Sequence, residues 1–429
     1  MLKLSFPTRK LKSSLIKITN KYKRLEDENL QAYGVTNKDG IVITGKDISD
    51  DTSNYTVVSG KTFVYNPYRI NVGSIGLADD SFKGIVSPAY IVFKVKNDIH
   101  PEFLLLYLKS SLGINLIKWY GNRGGVRSAL RFNDLEKIDF PDLSYQQQEE
   151  ALKNINKFIK IQEDLKQEIE NQAKYISKLR QSILQDAIQG KLVPQNPNDE
   201  PASELLKKIK EEKEQLIKEG KLKREKLNYN TINQVPYELP NTWQWCKFYE
   251  IANIASNLVS PDKYLDLPHI APNNIEKGNG KLLQYNSVRA DNVISCNHHF
   301  FAGQILYSKI RPNLSKLVIV DFEGLCSADM YPINSYIETS YLKLYMLSKI
   351  FLSYSTKNDT RVAMPKINQE ELNNIPVPLP PKAEQKRIAD KVDKLMQLCD
   401  KLENENNNAQ KASSELLQSI MQKYFTPEV

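Results

Sequence analysis

AEQKRIADKVDKLMQLCDKLENE, residues Ala383–Glu405, is a long, charged stretch that follows the run VPLPP (Val377–Pro381). In and beyond it, Ile388, Leu395, Leu402, Ala409 and Leu416 fall seven apart, interleaved with Val392, Cys399, Asn406, Ser413 and Ile420. Apolar a and d positions sustained for about five heptads predict a coiled-coil helix, in preference to a helix lying on its own globular neighbour.

A counterpart sits in the middle of the chain. Shifted by 237 residues, FPDLSYQQQEEA (Phe140–Ala151) lies on VPLPPKAEQKRI (Val377–Ile388), and LRQSILQ (Leu179–Gln185) lies on LLQSIMQ (Leu416–Gln422). The earlier helix carries the matching stripes Ala151, Phe158, Leu165, Gln172, Leu179 and Ile155, Gln162, Ile169, Ile176, Ile183. One shift serves the whole segment, so neither helix has an insertion relative to the other, as two rods packed side by side require. The predicted seam runs through Ile155, Phe158, Leu165, Ile169, Ile176, Leu179 and Ile183, against Val392, Leu395, Leu402, Asn406, Leu416 and Ile420. Polar Gln162, Gln172 and Asn406 cost stability there and are expected to fix register. Such a helix is roughly 60 Å long at ~1.5 Å rise per residue, which suits a spacer.

The repeat extends upstream. TFVYNPYRINVGSIGLADD (Thr62–Asp80) parallels QILYSKIRPNLSKLVIVDF (Gln304–Phe322), matching Tyr65 with Tyr307, Arg69 with Arg311 and Asn71 with Asn313. HPEFLLLYLKS (His100–Ser110) parallels TSYLKLYMLSK (Thr339–Lys349), each reading as an amphipathic helix. Each half is therefore expected to be a mixed α/β globule, with short Val-, Ile-, Tyr- and Phe-rich strands, followed by one long helix. Between the halves, Gly190 is placed to end the first long helix, with Pro194 and Pro197 blocking its continuation. Pro201 opens a charged helix in which Glu204–Lys208 and Glu214–Lys218 are expected i,i+4 pairs.

Composition sets outer bounds. The 429 residues, 41% hydrophobic and 26% charged, allow two or three packed domains. No apolar run approaches a membrane span, and the basic start MLKLSFPTRKLKSS lacks the apolar core of a secretory signal. Cys246, Cys296, Cys326 and Cys399 are scattered and read as reduced cytoplasmic thiols. The net charge of +8 is concentrated in residues 1–145, which permits a nucleic-acid partner and equally fits an ordinary lysine-rich surface.

Three stretches resemble the specificity (S) subunit of type I restriction–modification enzymes: LPPKAEQKRIADKVDKLMQLCDKLE (Leu379–Glu403), LRQSILQDAIQGKLVPQNPNDEPASELLKKIK (Leu179–Lys210) and YELPNTWQWCKFYEIANI (Tyr237–Ile254). The opening MLKLSFPTRKLKSSL departs from that pattern, lacking the ELPxxWxW motif. The resemblance implies an α+β protein with two similar mixed α/β target-recognition domains, separated by a long antiparallel two-helix coiled coil in a pseudo-twofold repeat. The expected boundaries are domain one at 1–145, long helix one at 146–190, a linker with a charged helix at 191–236, domain two at 237–381 and long helix two at 382–429. Each domain would read half of a bipartite double-stranded DNA target, the half-sites about one turn (~34 Å) or somewhat more apart. The helices would set the spacing and dock two modification subunits. S-adenosylmethionine, ATP and Mg²⁺ would belong to those partners and to separate restriction subunits, not to this cytoplasmic, non-catalytic chain. The competing readings are a coiled-coil adaptor whose globules bind protein, and a fused DNA methyltransferase.

The residues themselves argue against chemistry in the chain. GIVITGKD (Gly40–Asp47) places Asp where a phosphate loop needs Ser or Thr, and its β-branched interior favours a strand. YNPYR (Tyr65–Arg69) lacks one proline of the amino-methyltransferase clamp and reads as a strand-end turn. Cys296, His298 and His299 lack a second cluster that would complete a metal site. For DNA, the first choice is the repeat-matched pair Arg69 and Arg311, flanked by Asn66, Tyr68 and Asn71 in one half and by Lys309, Asn313 and Lys316 in the other. The alternative for each arginine is a local carboxylate, Asp79 or Asp321. The second choice is GNRGGVRSALR (Gly121–Arg131), with Arg123, Arg127 and Arg131, and its counterpart KNDTRVAMPK (Lys357–Lys366), with Arg361 and Lys366.

Overall fold

The computed structural model describes residues 7–22, 30–44, 51–121, 128–222, 235–356 and 365–425. It divides into two compact units, Met1–Asn171 with Asn406–Val429, and Gln172–Glu405. Two 44-residue helices, Tyr145–Ile188 and Lys382–Phe425, each contribute to both.

The first unit holds two four-stranded sheets. One has strand order 15–18, 91–95, 63–65, 75–77, all antiparallel. In the other, the order is 40–43, 32–36, 83–86, 56–59, and its two central strands are parallel. Strand alternation explains the layering. In FVY (63–65), Phe63 and Tyr65 face a core with Phe93, Phe103, Tyr107 and Phe140, while Val64 faces a second cluster with Val58, Val86 and Val92. Helices Pro101–Lys109 and Ser111–Gly121 cover the first core, and the corner between them admits only glycine at 113. A Cβ there would lie 2.1 Å from the Tyr107 carbonyl oxygen. A ribbon pairs Thr8–Lys10 with Asp139–Pro141, and Tyr107 donates its hydroxyl to the Asp139 carbonyl.

The second unit repeats this plan with little shared sequence. Its sheets are ordered 252–254, 330–335, 305–308, 317–319 and 258–259, 297–300, 324–326, 268–270, 286–287, with 268–270 and 324–326 parallel. Ile305 and Tyr307 face the larger core, and Leu306 faces the smaller. The ribbon 244–247 with 376–379 has the register of the first: Lys247 lies opposite Pro376, as Lys10 lies opposite Asp139, 237 residues apart in both strands. Buried glutamines mark the same equivalence. Gln148 bonds the carbonyls of Asp98 and Leu143 and accepts from the His100 amide. Gln385 bonds the Pro380 carbonyl and accepts from the Glu338 amide.

Each unit contains its own stretch of antiparallel helix packing, and each corrects the expected seam. One stripe is buried: Ile155 and Ile169 with Asn406 in the first unit, and Ile183 with Val392 and Cys399 in the second, where Ile176 also packs. Asn406 Nδ2 donates to the Ile169 carbonyl at 2.9 Å, so a polar seam residue bonds the backbone of its own repeat counterpart. Ile420 is half-buried. By contrast, Phe158, Leu165, Leu179, Leu402 and Leu416 are exposed and do not lie in a buried seam, while Leu395 is partly buried. A regular two-stranded coiled coil would bury both stripes between its helices; here only one is buried and the other is left at the surface.

Helix ends close on globular cores. Phe425, in the last turn of the second long helix, meets the rings of Phe103 and Tyr107 edge-on at 5.4 Å each, within the first unit. In the second unit Ile188, its counterpart at the same shift, is fully buried in the core around Tyr341 and Tyr345. Gly190 (φ 69°) then ends the helix, and the Lys191 amide bonds back to the Asp186 carbonyl. Gln195 and Trp243 Nε1 both donate to the buried carboxylate of Glu384, which burial pushes above its ordinary pKa. Helix Ala202–Lys218 lays Ala202, Leu205 and Ile209 on the same core. Its Glu204 pairs with Lys207 rather than with the expected Lys208, which reaches Glu200 instead.

Candidate nucleic-acid interface

Strand Phe63–Tyr65 ends in a tight turn. The Arg69 and Ile70 amides bond the Asn66 carbonyl, and the Tyr68 amide bonds Asn66 Oδ1, so Asn66 builds the turn. Gly73 (φ 88°) closes the turn and brings the Asn66 amide to the Ser74 carbonyl. Tyr68 and Arg69 project outward, and Asn71 is half-buried. A distant segment packs alongside: the Leu130 amide bonds the Pro67 carbonyl, and the Tyr65 hydroxyl bonds the Leu130 carbonyl. Exposed Arg131 therefore joins the Asn66–Asn71 turn at one end of the domain. Arg123 and Arg127 lie outside the described residues.

The second unit builds the same corner by different means. After strand Ile305–Ser308, the Arg311 amide bonds the Pro365 carbonyl, and the Ile367 amide bonds the Lys309 carbonyl. The segment before the second long helix thus again meets the loop, now carrying Lys366. Arg311 (φ 48°) and Ser315 (φ 46°) bracket a short 3₁₀ turn in the left-handed region, where side-chain-bearing residues are strained. Arg311 and Asn313 are exposed. Three lysines are held locally: Lys309 lies over the Tyr331 ring, Lys316 donates to the Pro272 carbonyl, and Lys366 is 3.5 Å from Asp329. Arg361 lies outside the described residues.

The carboxylate alternative is not what the geometry shows. Among the described residues neither Arg69 nor Arg311 has an ion-pair partner, and Asp79 accepts from Ser81 instead. Bonds between the turn and a segment some sixty residues later leave no local sequence signal. The repeat-matched arginines were the legible part of the corner.

The remaining candidates fall elsewhere. Gly40–Ile43 is a strand, and Lys46 and Asp47 lie outside the described residues. His298 and His299 are neighbours on strand Asn297–Phe300 and so point to opposite faces. His299 bonds Glu323 at 2.7 Å; His298 is buried, which together with Lys309 nearby lowers its pKa below 6.5. Among the described residues no group of three or more His, Cys, Asp or Glu could hold a metal ion. No helix among them is long and apolar enough to cross a membrane.

Known proteins share this layout. The family model for the type I restriction modification DNA specificity domain matches residues 9–174 and 240–411. The specificity subunit of the type I restriction enzyme EcoDI of Escherichia coli is 36% identical over 333 residues, 77% of this chain and 70% of its own length. The EcoEI specificity subunit of Escherichia coli is 34% identical over 262 residues, 57% of this chain and 43% of its own. In three dimensions the chain resembles the HsdS subunit of Thermoanaerobacter tengcongensis, with TM-score 0.59 and 15% identity, over 100% of this chain and 98% of that one. It also resembles a chain from a type I restriction–modification system solved to explain complex assembly and conformational transition, with TM-score 0.63 and 15% identity over the whole of both chains.

Proposed function

The chain belongs to the type I restriction modification DNA specificity family, and we propose that its two repeats each read one half of a bipartite duplex target through the corner just described. It is the DNA-specificity component of such a system. The observation that carries the half-site reading is the recurrence of one corner in both repeats. In each, an outward arginine follows the matched strand in a turn that is bonded to the segment leading into a long helix, through Pro67 and Tyr65 in the first repeat and through Arg311 and Lys309 in the second. Arg69 and Arg311 would contact phosphates or guanine edges, and Asn71, Asn313, Arg131 and Lys366 would flank them. The long helices would hold the half-sites at one spacing.

The exposed stripe supports docking of two copies of one partner. Phe158, Ile161 and Leu165 recur as Leu395, Leu398 and Leu402 at the 237-residue shift, each set spaced i, i+3, i+7. All but the partly buried Leu395 are exposed. That spacing fits another helix, and a duplicated site fits two identical modification subunits. Methyl transfer from S-adenosylmethionine and ATP-driven cleavage would be theirs and those of restriction subunits, in the cytoplasm.

Co-expression with a candidate modification subunit, followed by genome-wide mapping of methylated adenines, tests this reading. A two-part motif with a fixed gap is expected; methylation without such a pattern would overturn it.

A further inference from the structure

Three large apolar side chains stand bare at the first domain's corner: Tyr68 at 58% exposure, Val72 at 51% and Trp119 at 57%. They sit on segments tied to one another. The 3₁₀ turn Ile70–Val72 packs against helix Ser111–Gly121. The Ala129 amide bonds the Gly121 carbonyl at that helix's end, and the Leu130 amide bonds Pro67. The helix buries Gly113, Leu116 and Ile117 and half-buries Tyr120, so Trp119 lies off its packed face, beside exposed Lys118. Arg69 adjoins Tyr68 in sequence, Lys118 adjoins Trp119 and Arg131 follows Leu130, and all three cations are exposed.

Among the described residues, the second domain lacks this feature at the equivalent turn. Ile310 and Leu314 there are only partly exposed, and Lys309, Lys316 and Lys366 surround them. Two exposed aromatic residues on packed segments, each next to a cation in sequence, suit nucleic acid better than protein: rings stack on bases or enter a base step, while the cations hold the backbone.

We propose that Tyr68 and Trp119 contact unstacked or groove-exposed base and sugar surface in the first half-site, so that this domain reads base-step deformability as well as hydrogen-bonding edges. The described residues of the second domain present no such wedge at the matching turn. This rests on the half-site reading above and deepens it for one domain.

The test uses the complex of the full chain with its modification partner and duplexes carrying the mapped motif. A 2-aminopurine probe is moved through each half-site in turn, leaving out the methylated adenines and their neighbours, which the modification partner itself unstacks. Wild type should raise its fluorescence at a step of the first half-site and at none of the second. Trp119→Ala and Tyr68→Ala should each abolish that rise and weaken binding roughly 5- to 150-fold, the range measured for losing one base–aromatic stack. Discrimination at the second half-site should be unchanged. If both variants bind as wild type while Arg69→Ala still weakens the first half-site, the wedge is wrong and the half-site reading stands. Protection of Trp119 by the modification partner alone, before DNA is added, would equally overturn it in favour of a protein contact. Indifference of the complex to both half-site sequences would instead sink the underlying reading.

Discussion

The two corners reach one layout from unlike residues. In the first domain, Gly73 takes the left-handed turn that glycine adopts at no steric cost, and the exposed groups are aromatic and basic. In the second, Arg311 and Ser315 take left-handed conformations that strain any side chain, and lysines surround them. Backbone bonds from the segment preceding the long helix hold both turns. What is duplicated is thus the position of a turn, while its surface chemistry is free to diverge. That is what two domains reading different half-sites would require.

The largest expected break in the comparison comes from the helix ends. Phe425→Ala removes a ring buried against Phe103 and Tyr107 and should cost about 3–5 kcal/mol. Hydrogen exchange should show the loss in the first unit only. Ile188→Ala should cost about 2–5 kcal/mol, seen in the second unit only. Loss spread evenly over both units by either variant would contradict the assignment of each helix end to one core.

The arginines come next. Arg311→Ala should weaken binding by about 1–3 kcal/mol with sensitivity lost at the second half-site alone, and Arg69→Ala should do so at the first. Equal losses at both would point to disrupted assembly. A smaller effect separates strain from reading: Ser315→Gly removes left-handed strain of about 1–2 kcal/mol against glycine's entropy cost of roughly 0.5–1 kcal/mol, so thermal melts should show a small gain in stability. The matching turn of the first domain already has its glycine.

The smallest effect is a pH response confined to the second unit. Burial holds His298 below the usual 6.5, so the folded state favours the neutral ring. Its stabilisation is full above the unfolded value and is lost as pH falls through 6.5 and then through the lower folded pKa. His298→Gln should flatten the difference between melts at pH 7.5 and 5.5; an unchanged slope would show that other groups govern it.

The long helices and the Arg69–Arg311 match were legible because they rest on side-chain pattern at one fixed shift. The opening strand Thr8–Lys10 was not, although it occupies the position of Gln244–Lys247 at that same shift. Three residues whose identity lies in backbone bonds to Asp139–Pro141 carry too little pattern once the paired tryptophans are gone. The seam was half legible: heptads showed two apolar stripes, and only packing decides that Ile169 and Asn406 are inside while Phe158 and Leu165 face out. The candidate corner was visible only through its arginines, since Leu130 and Pro365 reach it through backbone bonds.

The spacing claim is tested most directly by inserting four residues into the first long helix after Glu170, with assembly checked separately, and mapping the methylated motif again. A four-residue insertion turns everything beyond it relative to the buried stripe. The motif should then vanish or return with a different gap between unaltered half-sites. Recovery of the original two-part motif with its original gap would contradict a rigid helical separator.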